Sequence, residues 1–127
     1  MKRFLPLPIL CFALLVACSD NETLPADEEP PPTTTTISFE FDIQPLFTSE
    51  CIHCHGGAGG LDLQSHADLM AGGNSGAVVV PGEPDSSRLI DRLDGTIAPT
   101  MPADGPPLTG PEIARIEQWI REGAIEN

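Results

Sequence analysis

The chain has 127 residues, 40% of them hydrophobic, with 19 acidic side chains against 6 basic ones and a formal net charge of −13. That length leaves room for one domain, and the charge excludes nucleic acid as a partner, because no basic patch exists to displace counterions from phosphates. With 5 Phe, 1 Trp and no Tyr, burial alone leaves a domain of this size marginal.

Lys2 and Arg3 precede an apolar run from Phe4 to Ala17. The run is too short for a bilayer span, which needs ~20 apolar residues, and Pro6 and Pro8 weaken it as a helix. It has the layout of a secretory leader, residues 1–17. Its end, Leu15-Val16-Ala17-Cys18, resembles the bacterial lipobox. The resemblance implies cleavage before Cys18, lipid on that cysteine, and an exported protein anchored to a bacterial membrane, facing the periplasm. Two or more acyl chains anchor stably where one does not. An ordinary leader with a cysteine at its cleavage point is the alternative. Loss of Lys2 and Arg3 lowers the charge to −15 and leaves four cations, Arg88, Arg92, Arg115 and Arg121. An acidic surface of this kind favours solubility and can steer a basic partner.

Residues 18–36 are acidic residues, prolines and threonines with almost nothing to bury, and read as a disordered tether. The folded domain is expected over residues 37–127. "FDIQPLFTSECIHC" reads as a first helix capped by Asp42, with Pro45 in its first turn and Ile43, Leu46 and Phe47 on one face. "SHADLMAGG" reads as a short helix from the cap Ser65 to Gly72. "VVVPGEP" is extended and ends in a Pro-Gly turn. "DSSRLIDRLDG" is another short helix, with Asp85 as cap and Leu89, Ile90 and Leu93 inward. "TIAPTMPADGPPL" holds too much proline for helix or sheet and reads as a stiff loop. In the last helix Thr109 and Glu112 make a capping box, Pro111 stands in the first turn, and Ile113, Ile116, Trp119 and Ile120 share a side. The expected fold class is all-α, made of short helices joined by long Gly/Pro-rich loops, with a cofactor, metal or disulfide filling the middle.

The chemistry centres on "CIHCHGGAGG". Cys51-x-x-Cys54-His55 is the attachment pattern of c-type haem. Two thiols three apart on a helical turn meet two vinyl groups, and the adjacent imidazole comes under the iron as proximal ligand. Attachment occurs outside the cytoplasm, in accord with the leader. A zinc site wants four ligands, usually in two close pairs, and His53 and His66 form no second pair. A thioredoxin-like redox pair follows a strand, which is not seen here. A structural disulfide between Cys51 and Cys54 stays open. For the sixth position of a haem iron the candidates are Met101, Met70, His66 or nothing. Met101 sits in "TMPADGPP", where flanking prolines leave little entropy to lose. Met70 reads as core filler, and His66 as a surface residue at a helix start. "GGAGG" lacks the Lys-Ser/Thr of a phosphate loop, and "GNSGA" around Ser75 misses the nucleophile-elbow pattern.

Cys51-Ile52-His53-Cys54-His55-Gly56, Met101-Pro102, "GGLDL" (59–63), "VVPGEPDSSRL" (79–89) and "WIREGA" (119–124) resemble the planctomycete-type cytochrome c domain, a small class I c-type cytochrome. The resemblance implies one covalent haem c on Cys51 and Cys54, with His55 and Met101 as axial ligands. It implies crossed first and last helices, with Phe47 packed near Trp119. It also implies a one-electron carrier rather than an enzyme, working with redox partner proteins, and thioether ligation of the iron would favour its reduced form. A haem enzyme or gas sensor with an open sixth site, and a disulfide-stapled interaction module without haem, are the alternatives.

Overall fold

The computed structural model describes residues 35–57 and 60–127. The expected leader, Cys18 and residues 18–34 of the expected tether lie outside the described residues. The described chain is helical. A π-helical turn (Phe39–Ile43) runs into α1 (Gln44–Glu50) and then α2 (Ile52–His55). There follow α3 (His66–Ala71), a 3₁₀ turn (Pro84–Ser86), α4 (Arg88–Leu93) and α5 (Gly110–Arg121). No β-strand occurs among the described residues, only the isolated bridges Gly56–Asp62 and Gly73–Gly76. None of these helices is long and apolar enough to cross a membrane.

The expected first helix is one winding path with two irregularities, and Pro45 explains the first. Proline has no N–H to donate, and its ring clashes with the carbonyl four residues back, here that of Phe41. The backbone widens just before it. Ile43 and Gln44 donate their N–H groups five residues back, to the carbonyls of Ser38 and Phe39. The cap is therefore Ser38 and not Asp42. The Ser38 hydroxyl accepts the Phe41 N–H at 3.3 Å, and the Asp42 carboxylate reaches back to accept the Ser38 N–H at 2.8 Å. The second irregularity is Cys51, at φ −124°, which separates α1 from α2.

α3 starts at Ser65, whose hydroxyl accepts the Asp68 N–H at 3.1 Å, and stops at Gly72, as its sequence implies. α4 departs from expectation at its cap. Asp85 lies exposed in the 3₁₀ turn, and the residue before the helix is the fully buried Ser87. Its hydroxyl donates to the Glu83 carbonyl and accepts the Val80 N–H, both at 2.9 Å. Ser87 thus ties the Pro81-Gly82 turn shut instead of capping α4. In α5, the Glu112 carboxylate accepts from both the N–H and the hydroxyl of Thr109 at 2.7 Å. Those bonds, the hydroxyl's first, hold the exposed Glu112 carboxyl below its ordinary value.

The core gathers around α5. Ile116, Trp119 and Ile120 recur at helical spacing on one side and are fully buried with Ile43, Phe47 and Leu69. Trp119 differs from expectation in its neighbour. The aromatic ring against it is Phe39, with centroids 5.4 Å apart, and His66 stands edge-on to both. The π-turn packs on α5, which carries Phe39 to Trp119, while Phe47 is buried in the same core without being one of the paired rings. The indole N–H donates to the Ile125 carbonyl at 2.9 Å. The Asn127 side chain accepts the Phe39 N–H at 2.9 Å, and the Glu122 carboxylate accepts the Ile37 N–H at 2.9 Å, so both ends of the domain close over the tryptophan.

Trp119→Ala is expected to cost about 3–5 kcal/mol in urea unfolding followed by circular dichroism. Phe41→Ala, at a side chain 78% exposed, is expected to change stability by less than about 0.5 kcal/mol.

Candidate functional site

The single turn of α2 brings three chemically distinct groups to one side. The N–H groups of Cys54 and His55 both return to the Cys51 carbonyl, at 3.1 and 2.9 Å. Residues three and four apart on such a turn are neighbours, so Cys51, Cys54 and His55 all reach the same cleft. Both thiols are free, with Cys51 half-buried and Cys54 exposed. Burial, helped by the Glu50 carboxylate and the Cys54 thiol, pushes the Cys51 thiol up to about 11. His55 is partly buried, and its Nδ1 has no hydrogen-bond partner among the described residues. A buried ring nitrogen without a partner is costly for a histidine kept only for packing.

The opposite wall comes from far along the chain. α4 lines the cleft with Leu89 and Leu93, and the proline-rich loop after it lines the cleft with Met101. That loop is hung on the end of α4, where the last carbonyls lack intrahelical partners. Asp91 O accepts the Ile97 N–H at 2.9 Å and Arg92 O accepts the Met101 N–H at 2.8 Å. The expectation of a loop without helix or strand over residues 96–108 agrees with the structure.

A third wall is mostly backbone. Gly60 (φ +83°) passes so close to Gly73 that a Cβ on the latter would meet the Gly60 carbonyl at 2.6 Å. The Asn74 N–H donates to that carbonyl at 2.9 Å. Gly60 thus serves contact between two loops, a requirement that only the distant "GGNSG" segment explains.

These walls enclose a cleft of about 480 Å³, with Leu61, Leu63 and Val78 adding to its apolar lining. That is the size range of a small-molecule or cofactor site. Two thiols and an imidazole on one side, a thioether on the other and hydrocarbon between are a donor set suited to a covalently held haem. No group of three or more His, Cys, Asp or Glu side chains is placed to hold a bare metal ion among the described residues.

Residues 51–105 match the family described as Planctomycete cytochrome C. This stretch is similar to planctomycete cytochromes c. The match spans both the Cys51–His55 motif and Met101, and it ends before α5. The resemblance read from the sequence is borne out over these residues. Over the matched stretch the family suggests a c-type cytochrome, with covalently bound haem c and electron transfer. No curated protein and no solved structure matches the chain.

The other histidine and methionine candidates stand apart. Met70 is partly buried against the core and does not line the cleft. His66 is held between Phe39 and Trp119, with Nε2 2.7 Å from the Ala124 carbonyl, so it is a packed residue rather than the expected surface one. Cys18 lies outside the described residues. Sequence reasoning passed over Arg88 and Arg92, which both line the cleft. Their four-residue spacing on one helix, in a chain so poor in cations, was the available signal.

In haem-free protein, Cys54 is expected to be alkylated well before Cys51 at pH 8, as read by mass spectrometry of the single-cysteine variants. Reaction requires the thiolate. Because the Cys51 pKa is raised, its rate should keep climbing as pH rises through about 11. Equal rates for the two thiols at pH 8 would contradict the burial described here.

Proposed function

We propose that the domain is a single-haem electron carrier with Cys51 and Cys54 as thioether attachment points, His55 as proximal ligand and Met101 as distal ligand. The observation that carries this reading is the convergence of Met101 on the cleft formed by the Cys51–His55 turn, although the two belong to separate elements. Haem, when bound, supplies a reversible one-electron iron couple. The chain's own contribution is to orient and exclude. α2 presents both thiols and the imidazole together. Leu63, Val78, Leu89 and Leu93 keep water from the cleft interior, and low polarity around an iron centre is one of the levers on its potential.

The same reading extends to the parts outside the described residues. Lipid on Cys18 anchors the protein to a bacterial membrane at an exported face, and residues 18–36 form the tether that lets the domain reach redox partners. A basic docking surface on such a partner would suit a chain with net charge −15 after loss of its two leader cations. Nothing in the cleft requires the domain to make or break bonds in a substrate.

The test is the visible spectrum of the exported, purified ferrous protein before and after CO. The expected result is a covalent haem spectrum that CO leaves unchanged, with Met101→Ala converting it to a CO-binding form. A CO shift in the parent protein would point instead to an open sixth site and to catalysis or sensing. Lack of any haem band from a host competent in maturation would reject the haem reading.

A further inference from the structure

The loop that carries Met101 has very few ways to hold itself in place. Pro99, Pro102, Pro106 and Pro107 have no N–H to give, and no helix or strand occurs between Thr96 and Leu108. From Ala98 to Leu108 the loop makes two hydrogen bonds among the described residues, and both go to one residue. The Arg92 carbonyl accepts the Met101 N–H at 2.8 Å, and Arg92 Nη1 donates to the Pro99 carbonyl at 3.2 Å. Pro99 and Met101 flank Thr100, so Arg92 grips the turn on both sides, once with its backbone and once with its guanidinium. No carboxylate pairs with that guanidinium among the described residues, despite the excess of acids. Arg92 is itself partly buried in the cleft wall.

We infer that Arg92 is a positioning residue for Met101: its guanidinium, through the Pro99 carbonyl, keeps the thioether at the cleft. This rests on the reading of Met101 as the distal ligand. The backbone bond from Met101 to Arg92 survives any side-chain change, so the side chain's share can be isolated by substitution. Losing one hydrogen bond weakens what it holds by a modest factor. Arg92→Met should therefore loosen the thioether without abolishing its binding.

The readout is the affinity of the ferric, haem-loaded protein for added imidazole, which has to displace the thioether, together with the sulfur-to-iron charge-transfer band. Arg92→Met is expected to tighten imidazole binding about three- to tenfold and to weaken the band. Arg92→Lys, which keeps the charge and a donor on a long stem, should return the affinity toward that of the parent. Arg115→Met removes the same charge from α5, away from the cleft, and should leave the affinity unchanged. Arg92→Leu, which also lacks a donor, gives the same comparison if Arg92→Met does not accumulate. Met101→Ala separates the two ways of being wrong. If it tightens imidazole binding strongly while the Arg92 variants match the parent, the role of Arg92 is overturned and Met101 stands as ligand. If Met101→Ala itself matches the parent, Met101 is not the ligand and both ideas fall. An equal effect from Arg115→Met would assign the change to net charge and overturn the positioning role.

Discussion

Trp119 is the point at which the two ends of the domain are joined, and the remainder of the architecture depends on that junction. Its ring lies against Phe39 from the start of the domain, and its N–H donates to the Ile125 carbonyl near the end. Burying one large ring between segments so distant in sequence closes the domain where hydrophobic surface is most concentrated. The middle of the chain adds residues such as Leu69 and Ile90 to that core and elsewhere borders a cleft. In a domain this small, apolar side chains committed to the Trp119 cluster are unavailable for a second centre. The space between α2, α4 and the Met101 loop is accordingly a cleft, and the residues facing it are chosen for what they can bind.

α4 is the hinge of that arrangement. It is barely two turns long, yet each side has a separate task. Ile90 is buried in the core, while Leu89 and Leu93 are turned toward the cleft. Its final carbonyls, which every helix must leave without intrahelical partners, are the attachment points for the loop that follows. The irregular backbone of that loop is thereby satisfied without a strand or helix of its own. Ser87 secures the other end of α4 by closing the Pro-Gly turn, and the Gly82 N–H in that turn donates to the Ile120 carbonyl at 2.8 Å. The cleft wall is in this way referenced to α5 and the Trp119 core.

What could be read in advance followed from local chemistry. The Ser65 and Thr109 starts, the Gly72 stop and the inward side of α5 all depend on residues within one or two turns of each other. So does the grouping of Cys51, Cys54 and His55. The misplaced features depended on partners that spacing does not reveal. Asp42 looks like a cap until Pro45 forces the backbone to widen, after which Ser38 is the residue in position. Asp85 looks like a cap until the Pro81-Gly82 turn draws in Ser87. Phe47 stands nearer the haem motif, but the direction of the π-turn decides that Phe39 reaches Trp119. Met101 could be singled out by its proline-stiffened loop and by the resemblance, but no periodic pattern connects it to α2, so its convergence on the cleft had no local signal.

On the electron-carrier reading proposed above, the glycine wall bears on where electrons would cross. Asn74, Ser75 and Gly76 border the cleft on one side and are exposed to solvent on the other. Beside them, Gly60 and Gly73 touch backbone to backbone. Over this stretch the cleft is separated from the outside by little more than the thickness of a peptide chain. Tunnelling falls off exponentially with distance, so for the electron carrier proposed above this thin wall would be a short route between the cleft and a docked partner.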